Sequence, residues 1–257
     1  MRGARQASPR ALAIAGAVVV LVALGIGLAV AFSGGNGGGG SAVPAGVTVG
    51  DASAAFALPG AVDTENLFKG IPQNGLVLGK PSAPVTMEMF IDVQCPVCQN
   101  YEVNYLPTIV KKYIRTGQVK LQLEPWAFIG GAGSQSFSGR LGLIAASFQN
   151  RGFEYAKVLY DNQGVEDTGW LTDAMMTKIA ASVTGLDLSQ WQNAKNGSRA
   201  SQIASQVDQL ASKDNVQGTP TVLVGPSGGK LTFVVPRQFA PNLQQTEQAL
   251  DKAIRGA

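Results

Sequence analysis

The chain has 257 residues, of which 14% are charged, and it contains two cysteines and no histidine. The lack of histidine excludes His-ligated metal sites, Ser-His-Asp triads and Cys-His proteases. The chain carries 20 lysines and arginines against 17 aspartates and glutamates, and three of the arginines lie in residues 1–10. Without these three arginines, 17 basic residues balance 17 acidic ones, so the rest of the chain has no net charge. It therefore lacks the cluster of basic residues that binding to nucleic acid requires.

The N-terminal segment has the pattern of a membrane signal. Residues 1–10 are predicted to be a basic cytoplasmic region, and residues 11–32 lack any charged or strongly polar side chain. A helix of that length, at about 1.5 Å per residue, spans roughly 33 Å, which is enough for a hydrocarbon core of about 30 Å. Because the positive end is expected to stay in the cytoplasm, the sequence predicts a transmembrane signal anchor at 11–32 and export of residues 33–257.

A cleaved signal peptide is the alternative, since Ala29-Val30-Ala31 matches an A-x-A cleavage pattern. The apolar core of a signal peptide usually has about 7–15 residues, and this comparison favours the uncleaved anchor. The predicted location is therefore the cell membrane, with a single pass and an extracytoplasmic domain. Residues 33–74 begin with SGGNGGGG and are predicted to be a flexible Gly-rich linker, followed by one folded domain at 75–257.

The two cysteines lie between two predicted strands. Residues 85–91 alternate as in a strand, and residues 119–123 form the next β-branched and apolar run. Cys95 and Cys98 belong to the motif Cys-Pro-Val-Cys, and Pro96 suits the first turn of a helix. Cys95 is therefore expected at a junction from strand to helix.

The spacing of apolar residues changes twice in the second half of the chain. In residues 126–217 apolar side chains recur at i, i+3, i+4 and i+7, which predicts a helical insertion. Residues 221–224 and 231–235 flank a Gly-Pro-Ser-Gly-Gly turn and predict a β-hairpin. Residues 242–255 predict a closing helix.

The cysteine pair is predicted to be chemically reactive rather than to form a structural disulfide. A disulfide within so short a loop restrains the unfolded chain little. A zinc site needs about four ligands, and two thiols without histidine fall short, so neither a metal nor another cofactor is expected. At a helix N-terminus, unpaired N–H groups and the positive end of the helix dipole favour a thiolate, which is the reactive species. Cys95 has that position.

The order β-α-β, helical block, β-β-α, with a Cys-x-x-Cys motif early and Thr219-Pro220 before the hairpin, resembles the thioredoxin superfamily. The long block between the two motifs resembles its DsbA-like branch, the thiol:disulfide oxidoreductases with a helical insertion. The resemblance covers about residues 75–257 and implies an α/β thioredoxin fold with an inserted helical subdomain. It also implies a redox-active disulfide in which Cys95 is the nucleophile and Cys98 is the resolving thiol.

The resemblance assigns substrate binding to Thr219 and Pro220. In the family the proline is cis and faces the disulfide, and the residue before it offers its backbone to an extended substrate segment. An ordinary X-Pro bond is trans, but the distance from the cysteine motif and the hairpin after it favour cis at Pro220.

Three positions near the motif correspond to familiar positions of the family. Val97 stands where DsbA-like oxidases commonly have a histidine that helps to hold the thiolate. Met89 stands where related domains often have a glutamate under the site, and neighbouring Glu88 is expected on the opposite face of the strand. Asp92 is expected to be an exposed loop carboxylate.

The function implied is that of an exported, membrane-tethered dithiol oxidase acting on thiols of unfolded or newly exported proteins. Its family implies reoxidation by a membrane-embedded, quinone-linked partner of the DsbB or vitamin K epoxide reductase type. A reductase or isomerase of the same fold is the alternative within the family. Isomerases usually dimerise through an extra domain, for which residues 46–74 are too short, so a monomer is expected. A non-catalytic chaperone or scaffold with a thioredoxin fold is the alternative outside it.

Overall fold

A six-stranded sheet lies at the centre of residues 57–237 and 240–257, the part of the chain that the computed structural model describes. The predicted anchor at 11–32 and its cleavage alternative lie outside these residues. Within the described part, no helix is both long enough and apolar enough to cross a membrane.

The sheet is built around two parallel strands. Its strands are β1 (Gln73–Asn74), β2 (Val77–Leu78), β3 (Val85–Ile91), β4 (Val119–Pro125), β5 (Thr221–Pro226) and β6 (Thr232–Phe233). Their order across the sheet is β1-β2-β4-β3-β5-β6, and only β3 and β4 are parallel. The register pairs Ile91 with Pro125 on one side of β3 and Phe90 with Thr221 on the other. The end of β3 is therefore fixed from both sides.

After α1, which the sequence did not predict, the helices follow the predicted order. They are α1 (Ala61–Phe68), α2 (Pro96–Asn100), α3 (Leu106–Ile109), α4 (Gln135–Ser147), α5 (Gly152–Asp161), α6 (Asp173–Ala181), α7 (Leu188–Lys195), α8 (Ser198–Lys213) and α9 (Leu243–Arg255). The π-helical turn Tyr101–Tyr105 joins α2 to α3, and a second π-helical turn, Val110–Ile114, follows α3. Together they form one continuous helix, which we call the 96–114 helix. The predicted helical insertion is confirmed, since α4 to α8 lie between β4 and β5.

Alternating side chains of β3 enter two different cores. Met87, Met89 and Ile91 belong to the large core, which also contains Cys95 and Cys98. Phe90 belongs to a smaller core with side chains of α8. This alternation follows from the two-residue period of a strand, and it places the 96–114 helix and α8 on opposite faces of the sheet.

The predicted linker at 33–74 is wrong for its last part, because residues 61–74 contain α1 and β1. Phe68 is only 2% exposed, and its ring lies 6.1 Å from that of Phe153 in α5. The backbone N–H of Leu58 donates to the Ser182 hydroxyl. The sequence does not reveal this packing, because the segment has few large apolar side chains of its own. These side chains are buried by contact with α5.

We predict that Phe68→Ala in the full chain lowers the free energy of unfolding by about 3–5 kcal/mol, the usual cost of truncating a buried phenylalanine. Val62→Ala is the matched control in the same helix, because Val62 is 56% exposed. Its effect should stay within about 0.5 kcal/mol. Urea unfolding followed by tryptophan fluorescence measures both variants. Equal stabilities would show that α1 is not part of the folded domain.

Candidate functional site

The two cysteines occupy the start of the 96–114 helix, directly after β3. Cys95 is the N-cap residue and Pro96 is the first helical residue, as predicted. The Cys95 N–H donates to the Asp92 carbonyl at 3.0 Å, and the Cys95 carbonyl accepts from the Gln99 N–H at 3.0 Å. Both cysteines are free thiols in this structure. The junction therefore holds Cys95 at the end of the helix where N–H groups lack helical partners.

Thr219 and Pro220 lie against Cys95, although they are far from it in sequence. The Thr219–Pro220 peptide bond is cis, as predicted. The Cys95 Sγ lies 3.4 Å from the Thr219 carbonyl oxygen, to which it donates when it is protonated, and Pro220 is buried directly before β5. The pairing of Phe90 with Thr221 brings this segment beside the end of β3. The fold thus joins the two motifs that the sequence singled out.

The two thiols differ strongly in acidity. The pKa of Cys95 is lowered to about 6, first by a hydrogen bond from the Cys98 thiol and then by the backbone N–H groups of Cys98 and Val97, whereas burial opposes this shift. Cys98 is fully buried, and burial raises its pKa well above the ordinary value, with the hydrogen bond to Cys95 and the charge on Cys95 adding to the effect. Near neutral pH, Cys95 is a thiolate and Cys98 is a thiol.

Asp92 is buried, not exposed as the sequence suggested. Only 1% of it is accessible, and its carboxylate accepts from the Gln94 N–H at 2.8 Å, the Ser136 hydroxyl at 2.6 Å and the Ile129 N–H at 2.8 Å. Burial raises its pKa, whereas hydrogen bonds from Ile129, Ser136 and Gln94 oppose the shift. The carboxylate thus fastens the loop before Cys95 to the inserted subdomain, which the linear sequence does not reveal.

Tyr160, on α5, is a second residue that the sequence did not identify. It is fully buried, and its hydroxyl donates to the Asp92 carbonyl at 2.9 Å. Its own carbonyl accepts from the Gln99 side-chain amide at 2.9 Å. The peptide group of Asp92 is therefore contacted by both Cys95 and Tyr160, and the insertion supports the cysteine loop from behind.

The face of β3 that points toward the cysteines carries no acidic side chain. Met89 is fully buried in the core that contains Cys98, as expected for the apolar face. Glu88 lies on the other face, where its pKa is raised to about 7 by burial and then by Asp214. The expectation that Met89 and Glu88 point to opposite faces is confirmed.

Apolar side chains are exposed around the cysteine loop. Val97 is 47% exposed, and Phe128 is 48% exposed with its ring 5.1 Å from that of Trp126. The loop that carries both aromatic rings is fastened to Asp92 through the Ile129 N–H. Among the described residues, no group of three or more acidic or cysteine side chains is placed to hold a metal ion.

The comparisons with known proteins agree with this geometry. A family model described as thioredoxin matches residues 72–230, which is more than half of the chain. Disulfide bond formation protein D of Bacillus subtilis (strain 168) is 27% identical over 197 residues, covering 76% of this chain and 82% of that protein. Among solved structures, oxidised BdbD from Bacillus subtilis aligns with a TM-score of 0.60 and 24% identity over 71% of this chain and 94% of that one.

A second solved structure shows the same fold with less sequence similarity. DsbA of Chlamydia trachomatis aligns with a TM-score of 0.58 and 19% identity over 70% of this chain and 92% of that one. The common architecture is a thioredoxin fold of the DsbA type with its helical insertion. From the family match and the architecture together, this chain belongs to the thioredoxin family.

Proposed function

We propose that this chain, a protein disulfide oxidoreductase of the DsbA type, is an exported and membrane-anchored dithiol oxidase that introduces disulfides into translocated proteins. The observation that carries the proposal is the contrast between the cysteines: the pKa of Cys95 is lowered to about 6 and that of Cys98 is raised well above its ordinary value. A stabilised Cys95 thiolate stabilises the reduced pair. A pair that is stable when reduced is an oxidant when disulfide-bonded.

The reaction transfers two electrons from two substrate thiols to the Cys95–Cys98 disulfide. A substrate thiolate attacks Cys95 Sγ, the bond between the cysteines breaks, and Cys98 becomes a thiol by taking up a proton. A second substrate thiolate then attacks the first substrate sulfur, and Cys95 leaves as a thiolate. A thiolate of low pKa is a good leaving group, so the second step favours release of the oxidised substrate.

The surface around Cys95 fits extended and unfolded substrates. Thr219 contributes backbone groups beside Cys95, which suits main-chain pairing with an extended segment. Val97 and Phe128 add exposed apolar surface, which suits side chains that a folded protein would have buried. Thr219 and Pro220 are therefore proposed as the substrate-binding pair, and newly exported proteins with free thiols as the clients.

The membrane anchor and the reoxidising partner complete the proposal. Residues 11–32 support the anchor through their apolar length, and the arginines before them support an extracytoplasmic domain. The reduced pair must return its electrons to an acceptor, and a membrane-embedded, quinone-linked protein of the DsbB or vitamin K epoxide reductase type would lie in the same membrane. The catalytic chain is proposed to act as a monomer.

A reductase or isomerase is the second candidate. The observation that favours it is Val97, since no cationic side chain stands within the motif to stabilise the Cys95 thiolate further. Such a protein would be kept reduced by a membrane electron donor. The direction of electron flow therefore depends on the reduction potential of the Cys95/Cys98 pair.

For an oxidase, we predict a reduction potential well above the value of about −270 mV that is typical of thioredoxin. Val97→His should raise it by tens of millivolts, because an imidazolium would lower the pKa of Cys95 and each pKa unit corresponds to about 30 mV for two electrons. Val97→Gln is the uncharged control of similar size and should leave the potential unchanged. Equilibration with glutathione buffers measures all three proteins. A wild-type potential at or below that of thioredoxin would favour the reductase.

For the anchor, we predict that the full chain sediments with membranes and resists carbonate extraction, because a spanning helix is held by the hydrocarbon core. Protease should reach the folded domain only from the extracytoplasmic side. A chain that lacks residues 11–32 and is exported by another signal is the control and should be soluble. Recovery of a mature wild-type form that begins at Phe32 would show cleavage after Ala31 and contradict the anchor.

A further inference from the structure

The edge of the sheet at β6 is open, and the proposed thiol exchange does not use it. β6 pairs with β5, and no other described strand lies along its outer side. The Val234 N–H donates to the Val222 carbonyl at 2.9 Å, so these two residues form a hydrogen-bonded pair. Such pairs alternate with non-hydrogen-bonded pairs in an antiparallel ladder, and the next pair joins Phe233 to Leu223. Phe233 therefore turns its N–H and carbonyl away from β5, toward the open edge.

A groove of about 570 Å³ lies beside this edge, between the β5–β6 hairpin and α9. Val224 and Thr232, which are cross-strand partners, line it on the side of the sheet. Ala249 and Ala253 line it on the side of α9, and their small side chains leave room for those of another segment. Alternate side chains of a strand added at β6 would point into the groove, because successive residues of a strand face opposite sides. The edge and the groove together fit an extended segment.

The charged side chains at the groove and its edge are cations. Lys230 and Lys252 line the groove, and no described aspartate or glutamate lines it with them. Arg237 lies over the Phe233 ring, with its guanidinium carbon 4.8 Å from the ring centroid. All three cations are exposed, and none forms an ion pair with a described residue. A segment with acidic side chains would therefore be complementary in charge.

Two other occupants match these features less well. A second copy of this chain, paired edge to edge about a two-fold axis, would bring the same cations together, and like charges across an interface repel. A surface of anionic lipid would match the lysines. It offers no strand to pair with Phe233 and no side chains to enter the groove, however.

We propose that this groove binds an extended, acidic segment of a partner protein, which adds a strand to the sheet at β6. The Phe233 N–H and carbonyl bond to the backbone of the segment. Apolar side chains of the segment enter the groove, and its carboxylates contact Lys230 and Lys252.

The groove is separate from the cysteine site. On β5 it is lined by Val224, Gly225 and Pro226, at the end of the strand that is remote from Pro220. Val224 lies four residues after Pro220, or about 13 Å along a strand at the usual rise per residue. The groove is therefore a docking surface, and the proposal does not depend on the redox function of the cysteines.

The test uses a peptide with the sequence Thr-Val-Thr-Glu-Thr-Val-Thr-Glu-Thr, blocked at both ends, which presents valine and glutamate in turn on one face. Its binding to the full chain in a non-ionic detergent is measured by fluorescence anisotropy. The control peptide has lysine in place of glutamate. We expect the acidic peptide to bind at least about 10-fold more tightly than the basic one, because the groove carries only positive charge. Equal binding of the two peptides, or binding of neither, would overturn the proposal.

Charge reversal in the groove exchanges the preference. The double variant Lys230→Glu with Lys252→Glu should bind the acidic peptide about 10-fold or more weakly and should bind the basic peptide more tightly than the wild type does. Lys178→Glu is the matched control, since Lys178 is an exposed lysine on α6 in the inserted subdomain. It should leave both affinities unchanged. A double variant that still prefers the acidic peptide would contradict the assignment of this groove.

Hydrogen exchange of the backbone amides tests the strand addition without any substitution. When the wild type is saturated with the acidic peptide, the Phe233 amide should exchange about 10-fold or more slowly, because it gains a hydrogen-bond acceptor. The Val234 amide should change little, because it is already bonded to Val222. Unchanged exchange at Phe233 would show that no strand is added. Binding to phosphatidylglycerol vesicles without binding of the peptide would assign the surface to lipid and would also overturn the proposal.

Discussion

The site depends on the contrasting environments of two neighbouring thiols, because Cys98 is completely buried whereas Cys95 lies at the start of a helix. Burial raises the pKa of Cys98, so it keeps its proton, and the protonated Cys98 in turn lowers the pKa of Cys95. Cys95 lies at the edge, where the first N–H groups of the helix add to the stabilisation. Two chemically identical side chains within one turn of helix thus differ in charge: Cys95 is a thiolate, and Cys98 is a protonated thiol. No cation is needed in the motif for this contrast, so Val97 is compatible with the proposed oxidising role.

The rest of the fold holds that turn of helix in place. β3 is paired with β4 on one side and β5 on the other, and this pairing places Cys95 beside Thr219. Asp92 then joins the loop to Ser136 of the insertion, and Tyr160 of α5 contacts the same peptide group. The helical insertion is therefore a structural support for the cysteines.

The sequence predicted those features that depend on local pattern. The strand before Cys95, the helix that starts at Pro96 and the helical period of the insertion follow from residue spacing alone, and the cis bond at Pro220 followed from the family resemblance. Asp92 was misjudged because a carboxylate in a loop is usually exposed, and its three donors include groups from segments distant in sequence. Tyr160 was missed for a related reason: its contact with the Asp92 carbonyl arises only when α5 packs behind the cysteine loop in the folded chain. The predicted linker was too long because α1 is buried by contacts with other elements, which its own sequence does not show.

The contrast between the two thiols is tested most directly by the thiolate absorbance of the reduced wild-type protein as a function of pH. One thiol should ionise with a midpoint of about 6, and the second should remain protonated until far higher pH. The low-pH signal should vanish in Cys95→Ser, which assigns it to Cys95. If both thiols instead ionise near the value of about 8.5 for free cysteine, the hydrogen bond from Cys98 and the helix N-terminus do not stabilise a thiolate here, and the proposed basis of the reactivity is wrong.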